Sequence, residues 1–142
     1  MPRKHILHYI QKNYRNPVFN INSLHNSTHE SASYNRFVFK EEHGCSLHDM
    51  LEILRVADAL VRLSENKGIE SIYKNAGFAT PKTLRDAFRR RFGCSPSECR
   101  ALLVKATDKE LQLKHLLRKL CADNDKVHSI VLKSLENVLQ AT

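Results

Sequence analysis

The feature that most constrains the fold is a pair of adjacent helical patterns separated by a glycine. The first pattern is apolar on one face, and the second is amphipathic and basic. Residues 69–76 carry isoleucine and alanine at the spacing of one helix face. Gly77 favours a left-handed helix end, which glycine adopts without steric cost. Thr80 and Pro81 then begin the next helix as N-cap and first helical residue, because proline lacks the N–H that would stay unpaired there. Residues 68–100 therefore predict two helices that cross over a tight turn, a helix-turn-helix unit.

The second of these helices is amphipathic and strongly basic. Its apolar positions follow the helical period and are Leu84, Ala87, Phe88 and Phe92. Away from that face it carries the charged residues Lys82, Arg85, Asp86, Arg89 and Arg90. The whole chain has a formal net charge of +8, and this focused positive charge favours a polyanionic partner, nucleic acid before an anionic membrane. A basic surface that is merely solvated is the alternative.

Length and cysteine spacing limit the class of protein. A chain of 142 residues suits one large or two small helical subdomains with a modest core. The four cysteines are Cys45, Cys94, Cys99 and Cys121, and no pair has the two-residue spacing of a structural zinc site. We expect reduced thiols that pack as small core residues, with a redox switch between Cys94 and Cys99 as the less favoured alternative.

No segment predicts a membrane anchor, a cofactor site or an active site. No stretch reaches the roughly 18 apolar residues of a membrane span, and the basic N-terminus lacks the apolar run of a signal peptide. The pairs His5/His8 and His25/His29 could each share a helix face, but too few further ligands are nearby for a metal site. The sequence contains no glycine-rich phosphate loop, nucleophile elbow or paired carboxylates. We therefore predict a cytoplasmic protein that is not an enzyme and needs no cofactor or metal.

The rest of the chain is also helical in its periodicity, and no segment alternates as a strand does, which predicts an all-α fold. Helices are expected over residues 3–14, from Asn20 or Asn22 through Leu24, from Ser31 to Lys40, and over residues 47–64. The tripeptide Gly-Cys-Ser centred on Cys45 recurs centred on Cys94, 49 residues later, and each copy follows a candidate recognition helix. This repeat indicates two related helix-turn-helix units joined by the helix over 47–64.

Residues 5–104 resemble the DNA-binding domain of the AraC/XylS family of bacterial transcription regulators. The strongest part of the resemblance comprises Ala76-Gly77-Phe78, Pro81, Ala87-Phe88, Arg90-Arg91-Phe92-Gly93 and Ser95-Pro96-Ser97-Glu98. The segment Leu54-Arg55-Val56, followed by Ala59 and Leu63, also fits the family pattern before the second unit.

The resemblance implies two helix-turn-helix subdomains, at residues 1–46 and 65–104, bridged by a linker helix over 47–64. Each subdomain would place its second helix in a major groove on one face of the DNA. The two grooves would lie about 34 Å apart, one turn of the duplex. A single chain could then read an asymmetric site without a dimer partner.

By this resemblance, the second recognition helix supplies the main DNA contacts. Lys82, Thr83 and Arg85 are the candidate base readers because they lie in its first turn and a half. Arg85 could pair bidentately with guanine. Arg89 and Arg90 lie further along the helix and are expected to bind phosphates, which position the protein without specifying sequence.

The chain departs from the family pattern at several of these places. Asp86 stands where the family commonly has arginine, which removes a phosphate or guanine contact but leaves a group that could accept from cytosine N4. In the first unit, His29 lies in the region of the usual turn glycine and His25 replaces a small alanine. Cys99 stands where an aromatic residue is usual, which is a difference in packing.

The first recognition helix can be aligned with the family in two registers that differ by one residue. Its candidate contacts are the base readers Ser33, Asn35 and Arg36 and the phosphate partner Lys40. Either Arg36 or Phe37 takes the place of the family's usual arginine, depending on the register. The same slip moves Asn35 from a core position to a surface one. The favoured register places Tyr34, Phe37 and Val38 inward and Asn35 outward.

Residues 105–142 lie beyond the resemblance and predict a helical hairpin. Thr107 and Glu110 have the spacing of a capping box, and Asp123-Asn124-Asp125 marks a break and a new helix start. The apolar stripes are Leu113, Leu116, Leu117, Leu120 and Cys121, then Val127, Ile130, Val131, Leu135, Val138 and Leu139. Such stripes have to be buried, either as extra core on the DNA-binding domain or against a second copy or another partner.

The resemblance implies a sequence-specific transcription regulator that binds double-stranded DNA. Family members mostly activate transcription by contacting RNA polymerase, so we predict an activator, in a stand-alone form without a sensor domain. The alternative is a degenerate helix-turn-helix protein that acts as an interaction module, binding another regulator or RNA polymerase through its C-terminal helices. The altered first unit, Asp86 and the leucine-rich tail motivate that alternative.

Overall fold

A computed structural model describes residues 6–65 and 67–136, and this part of the chain is all-helical. Its helices are α1 (Ile6–Asn13), α2 (Ile21–Asn26), α3 (Ala32–His43), α4 (Leu47–Ser64), α5 (Ile69–Asn75), α6 (Pro81–Phe92), α7 (Pro96–Lys105), α8 (Lys109–Leu120) and α9 (Asp125–Ser134). No strand occurs within these ranges. The predicted all-α fold class is confirmed.

Side-chain caps determine where the helices of the two units begin. Ser31 accepts a hydrogen bond from the Tyr34 N–H at the start of α3, and Thr80 accepts one from the Thr83 N–H at the start of α6. Asn20, and not Asn22, caps α2. These side chains pair the N–H groups that a helix start otherwise leaves without an acceptor.

The long helix α4 is the centre of the fold. It begins after the cap Ser46 and spans the predicted residues Leu47–Ser64. The stripe that the helical period predicts to face inward is buried and comprises Leu47, Met50, Leu51, Leu54, Ala57, Val61 and Ser64. Ile53, Val56, Leu60 and Leu63 lie outside that stripe and are buried as well. Helices α3 and α5 to α9 all pack against α4, which explains why its burial extends around most of its circumference.

A buried carboxylate connects α1 to α4. Asp58 Oδ2 accepts from the Tyr14 hydroxyl at 2.5 Å and from Arg15 Nε at 2.8 Å, and its Oδ1 accepts from Arg62 Nε at 2.5 Å. Burial, and then the Asp58 charge, raise the pKa of Tyr14, so the phenol keeps its proton and donates. A buried charge is tolerated here because each carboxylate oxygen has a donor.

The turn of the second unit lies directly against the chain that follows α1. Gly77 has a φ of +98°, and a Cβ atom there would lie 2.0 Å from the Tyr14 carbonyl oxygen. Arg55 of α4 donates to that same carbonyl at 2.7 Å and to the Phe19 carbonyl at 2.8 Å. Glycine is therefore required at this position both for its backbone conformation and for space.

The described part of the C-terminal extension packs back onto the rest of the chain. Helix α8 lies against α4, α6 and α7, whereas α9 lies against α4 and also contacts the first unit. In that second contact, Gln11 Nε2 donates to Ser134 Oγ at 2.9 Å and Asn124 Nδ2 donates to the His43 carbonyl at 3.3 Å. Residues Leu116, Leu117, Leu120, Val127, Val131 and Leu135 are buried in this way. The tail leucines thus serve as additional core.

Two details of the extension differ from the sequence predictions or lie beyond what the structure describes. The cap of α8 is Asp108, which accepts from the Leu111 N–H, so the predicted Thr107–Glu110 capping box is wrong. Asn124 caps α9, as the Asp-Asn-Asp break predicted. The last two members of the second apolar stripe, Val138 and Leu139, fall outside the described residues.

Candidate nucleic-acid interface

Helix α6 places its basic residues on the side that faces away from the core. Leu84, Ala87, Phe88 and Phe92 are buried, as predicted. Lys82, Arg85 and Arg89 are exposed on the other side. No ion pair within residues 6–65 and 67–136 engages Arg85 or Arg89, so both guanidinium groups are available to an anionic partner.

The acid in the middle of this face is paired with a neighbour on the same helix. Lys82 Nζ donates to Asp86 Oδ2 at 2.9 Å, one helical turn away. That hydrogen bond, together with the positive charges of Lys82, Arg90 and Arg85, lowers the pKa of Asp86. Both side chains are solvent-exposed, so the pair adds little stability and can open when a base approaches.

Two of the predicted DNA contacts on α6 have partners within the chain. The Thr83 hydroxyl donates to the Thr80 carbonyl at 2.8 Å and accepts from the Thr80 N–H at 3.2 Å, which completes a capping box. Arg90 donates to Glu52 of α4, with Nε at 3.1 Å from Oε1, and this bond raises the pKa of Arg90. Thr83 and Arg90 are exposed, but their polar groups are already engaged.

Arg91 completes the attachment of α6 to the linker helix. Its Nε donates to Glu52 Oε2 at 2.8 Å, and a terminal nitrogen donates to Asp49 Oδ1 at 3.0 Å. Glu52 therefore accepts from two consecutive arginines and fixes the C-terminal half of α6 against α4. No local sequence pattern indicates this contact, because Glu52 and Arg90 are 38 residues apart.

The favoured register of the first recognition helix is wrong. Asn35 is 2% exposed, and its side-chain nitrogen lies 2.9 Å from Thr28 Oγ1 and 3.2 Å from His25 Nδ1. Asn35 is therefore a core residue at the crossing of α2 and α3, and the prediction that it reads bases is not supported. Of the three residues expected to point inward, only Val38 is buried, whereas Tyr34 is 44% and Phe37 is 66% exposed.

The two recognition helices are equivalent at the 49-residue spacing of the Gly-Cys-Ser repeat. Four pairs of positions on the solvent side correspond: Ser33 with Lys82, Arg36 with Arg85, Phe37 with Asp86, and Lys40 with Arg89. In the core, Asn35 corresponds to the fully buried Leu84. The spacing of the repeat thus predicts the correct register. The hydrophobic pattern wrongly placed Phe37 in the core.

A comparison with known families agrees with this geometry. Residues 25–102, more than half of the chain, match the family model of a helix-turn-helix domain of the AraC type. The chain belongs to this family. No curated protein and no solved structure matches it. Membership of the AraC-type family assigns the chain to DNA-binding transcription regulation.

Other chemical features of the described residues are their potential metal ligands, their cysteines, and the length and polarity of their helices. No three histidine, cysteine or acidic side chains within them come together as a metal site could require. Burial raises the pKa of Cys45 and of Cys121 to about 11, and it also raises that of Cys99, which lies 3.0 Å from Cys94, sulfur to sulfur. Every helix in the described ranges is too short or too polar to cross a bilayer.

Proposed function

We propose that this AraC-type protein is a sequence-specific transcription regulator that inserts α3 and α6 into successive major grooves on one face of a duplex. The observation that carries the proposal is the equivalence of the two helices: at four matched positions each presents side chains on the side opposite the core. Residues 1–46 and 65–104 act as the two reading units, and residues 47–64 hold them in one chain. The expected groove separation is about 34 Å.

On α6, Arg85 is the base reader with the best chemistry, because a free guanidinium can donate twice to guanine O6 and N7. Lys82 and Asp86 lie beside it, and opening their ion pair lets the acid accept from cytosine N4. Arg89 lies two turns into the helix and binds a phosphate. Thr83 and Arg90 have smaller roles, since their polar groups have partners within the chain.

On α3, Ser33 and Arg36 correspond to Lys82 and Arg85 and are the polar base readers. Ser33 lies in the first turn, and its short hydroxyl side chain can accept from or donate to several bases. Arg36 is exposed and can reach a guanine as Arg85 does. Lys40, near the end of the outward face, binds a phosphate.

Whether the protein activates or represses, and through which partner, is inferred from what most family members do. We propose activation through contact with RNA polymerase in the cytoplasm. A second function, as an interaction module, is favoured by one observation: Leu102, Val104 and Leu111 of α7 and α8 are exposed apolar side chains. These side chains, at the end of the second unit and the start of the extension, could contact RNA polymerase or a second copy of the chain. The buried tail leucines are not available for this.

The decisive experiment is selection of bound sequences from a random duplex library with the full chain, followed by a salt titration on the selected duplex. We expect an asymmetric site of about 15–20 base pairs, two major-groove contacts one turn apart. The logarithm of the binding constant should fall by several units per decade of salt, because each neutralised phosphate releases counterions. Absence of any enriched sequence would contradict the proposal and leave the interaction module.

Substitutions then separate readers from phosphate contacts. Arg85→Ala should relax the preference at one base pair and cost about 1–3 kcal/mol on the selected site. Arg89→Ala should weaken binding to all sequences alike and reduce the salt slope by about one. Lys109→Ala on α8, which removes one exposed positive charge outside the recognition helices, is the control. Uniform weakening by Arg85→Ala would instead make Arg85 a phosphate contact.

A further inference from the structure

Phe37 is the phenylalanine that the fold leaves uncovered. The chain has six phenylalanines, and all six lie in the described residues. Phe19, Phe39, Phe78, Phe88 and Phe92 are at most 7% exposed, whereas Phe37 is 66% exposed. A single exposed apolar side chain is ordinary on a protein surface, so its position has to decide whether it has a role.

Phe37 lies at the centre of the outward face of α3. The buried residues Asn35, Val38 and Phe39 define the opposite side of the helix. Ser33 and Lys40, four residues before and three after Phe37, share its face because residues at those spacings are neighbours on a helix. The phenyl ring therefore lies in the middle of the face of α3 that would contact a ligand.

The surroundings of the ring fit a polyanion. Arg36 and Lys40 are exposed next to Phe37 on the same helix, and the chain has a net charge of +8. An apolar ring beside two cations complements a major groove, where phosphates border the base edges. Within that groove, the 5-methyl group of thymine is the apolar group that a base presents, and phenylalanine is among the side chains that contact it.

We propose that Phe37 reads the 5-methyl group of a thymine in the major groove bound by α3. The proposal rests on the function proposed above and names a base contact within it. Position 37 corresponds to Asp86 in α6, so the two units present opposite chemistry at the same place: an apolar ring and a carboxylate. At this one position, the first unit thus selects a base by its methyl group and the second unit by a hydrogen bond.

The test replaces thymine by deoxyuridine, which lacks only the methyl group, one position at a time in the duplex selected by the full chain. We expect one replacement, in the half of the site read by α3, to weaken wild-type binding about fourfold, the worth of one buried methyl group. Phe37→Ala should bind the unmodified duplex more weakly and lose that discrimination. The Phe37→Ala protein should then bind the thymine duplex and the deoxyuridine duplex with equal affinity.

Two control variants make the result specific. Leu102→Ala removes another exposed apolar side chain, on α7, and should keep the full discrimination between thymine and deoxyuridine. Asp86→Ala should also keep it, because Asp86 belongs to the other unit. Thermal unfolding should show that Phe37→Ala folds as the wild type does, since the ring is mostly exposed.

Three outcomes would overturn the proposal. Wild-type binding that is equal for thymine and deoxyuridine at every position would remove the methyl contact. A penalty that persists unchanged in Phe37→Ala would assign the methyl contact to another residue. Unchanged DNA affinity of Phe37→Ala would point to a protein partner on this face. In all three, an enriched sequence would still support the proposed function, whereas failure of the selection itself would remove that function as well.

Discussion

The two helix-turn-helix units share a backbone design and differ in how their helices are held together. In both units a hydroxyl side chain caps the recognition helix, Ser31 in α3 and Thr80 in α6. Both helices end at a left-handed glycine with nearly equal φ, +76° at Gly44 and +73° at Gly93. The exposed positions of α3 and α6 therefore correspond one to one, although the sequences between caps and glycines have little in common.

The difference lies at the crossing of the two helices in each unit. In the second unit, Leu84 is completely buried in the apolar core. The matching Asn35 of the first unit instead donates to Thr28 and contacts His25, whose Nε2 is buried without a hydrogen-bond partner among the described residues. The comparison shows that one outer geometry can be supported by apolar packing or by a polar network. It also predicts that the first unit is the less stable one.

The largest expected effect comes from making the second unit resemble the first. Leu84→Asn buries an amide that has no partner in the apolar core and removes the packing of the leucine. We expect the free energy of unfolding to fall by about 3–5 kcal/mol, the sum of a lost apolar side chain and an unsatisfied polar group. Urea denaturation followed by circular dichroism measures it. A loss below 1 kcal/mol would show that the crossing of α5 and α6 does not depend on apolar packing.

The converse changes in the first unit should have smaller effects. Asn35→Ala leaves His25 Nδ1 without its partner and removes the donor to the Thr28 hydroxyl, which keeps its bonds to the His25 and Glu30 carbonyls, and it should cost about 1–3 kcal/mol. The double variant His25→Leu, Asn35→Leu removes both polar side chains together, and we expect it to recover most of that loss. Urea denaturation again provides the measurement. A double variant as unstable as Asn35→Ala would mean that shape, and not hydrogen bonding, fixes this crossing.

The polar crossing should also make the first unit sensitive to acid. Burial lowers the pKa of His25 below its ordinary value of 6.5, and the charges of Arg36 and His48 lower it further. The unfolded chain therefore binds this proton more readily than the folded one, and stability decreases as the pH falls below about 6.5. Residue-resolved NMR titration of the His25 ring measures its pKa directly. It also distinguishes this pKa from those of His43 and His128, which burial lowers as well. A His25 pKa above 6.5 would contradict this account.

The same comparison explains what could be predicted from the sequence. The second unit and the linker follow local rules: Thr80-Pro81 begins α6, Gly77 ends the preceding helix region, and the stripe on α4 is buried where the period placed it. The fold class and the family followed from those elements. The register of α3 could not be obtained from hydrophobicity, because its core contains Asn35 and its surface contains Phe37.

Contacts between distant segments account for the other errors at the candidate site. Arg90 looks like a free phosphate ligand in the sequence, and only the fold brings Glu52 against it. Asn35 looks like a surface amide until His25 and Thr28 are placed beside it. The Gly-Cys-Ser repeat was the signal that related the two units to each other residue by residue. Applied residue by residue, its spacing aligns Asn35 with Leu84 and places Phe37 on the surface.

The smallest expected effect concerns a contact made only by the second unit. Glu52→Gln removes the charge that holds Arg90 and Arg91 against α4. We expect the free energy of unfolding to fall by about 1 kcal/mol, because Arg90 is largely exposed and the mostly buried Arg91 keeps its hydrogen bond to Asp49. Freed from its partner, Arg90 can neutralise one more phosphate, so DNA should bind more tightly at low salt and the salt slope should steepen by about one.

The control for this effect is Glu70→Gln on α5, which changes the net charge equally but at an exposed site for which no ion pair with a described residue is found. If both variants tighten binding to the same extent with an unchanged salt slope, the effect is one of net charge. A steeper slope in Glu52→Gln alone would show that the linker helix withholds an arginine from the DNA in the second unit. The first unit has no arginine to be withheld in this way, because the residue that corresponds to Arg90 is Glu41, which is exposed on α3.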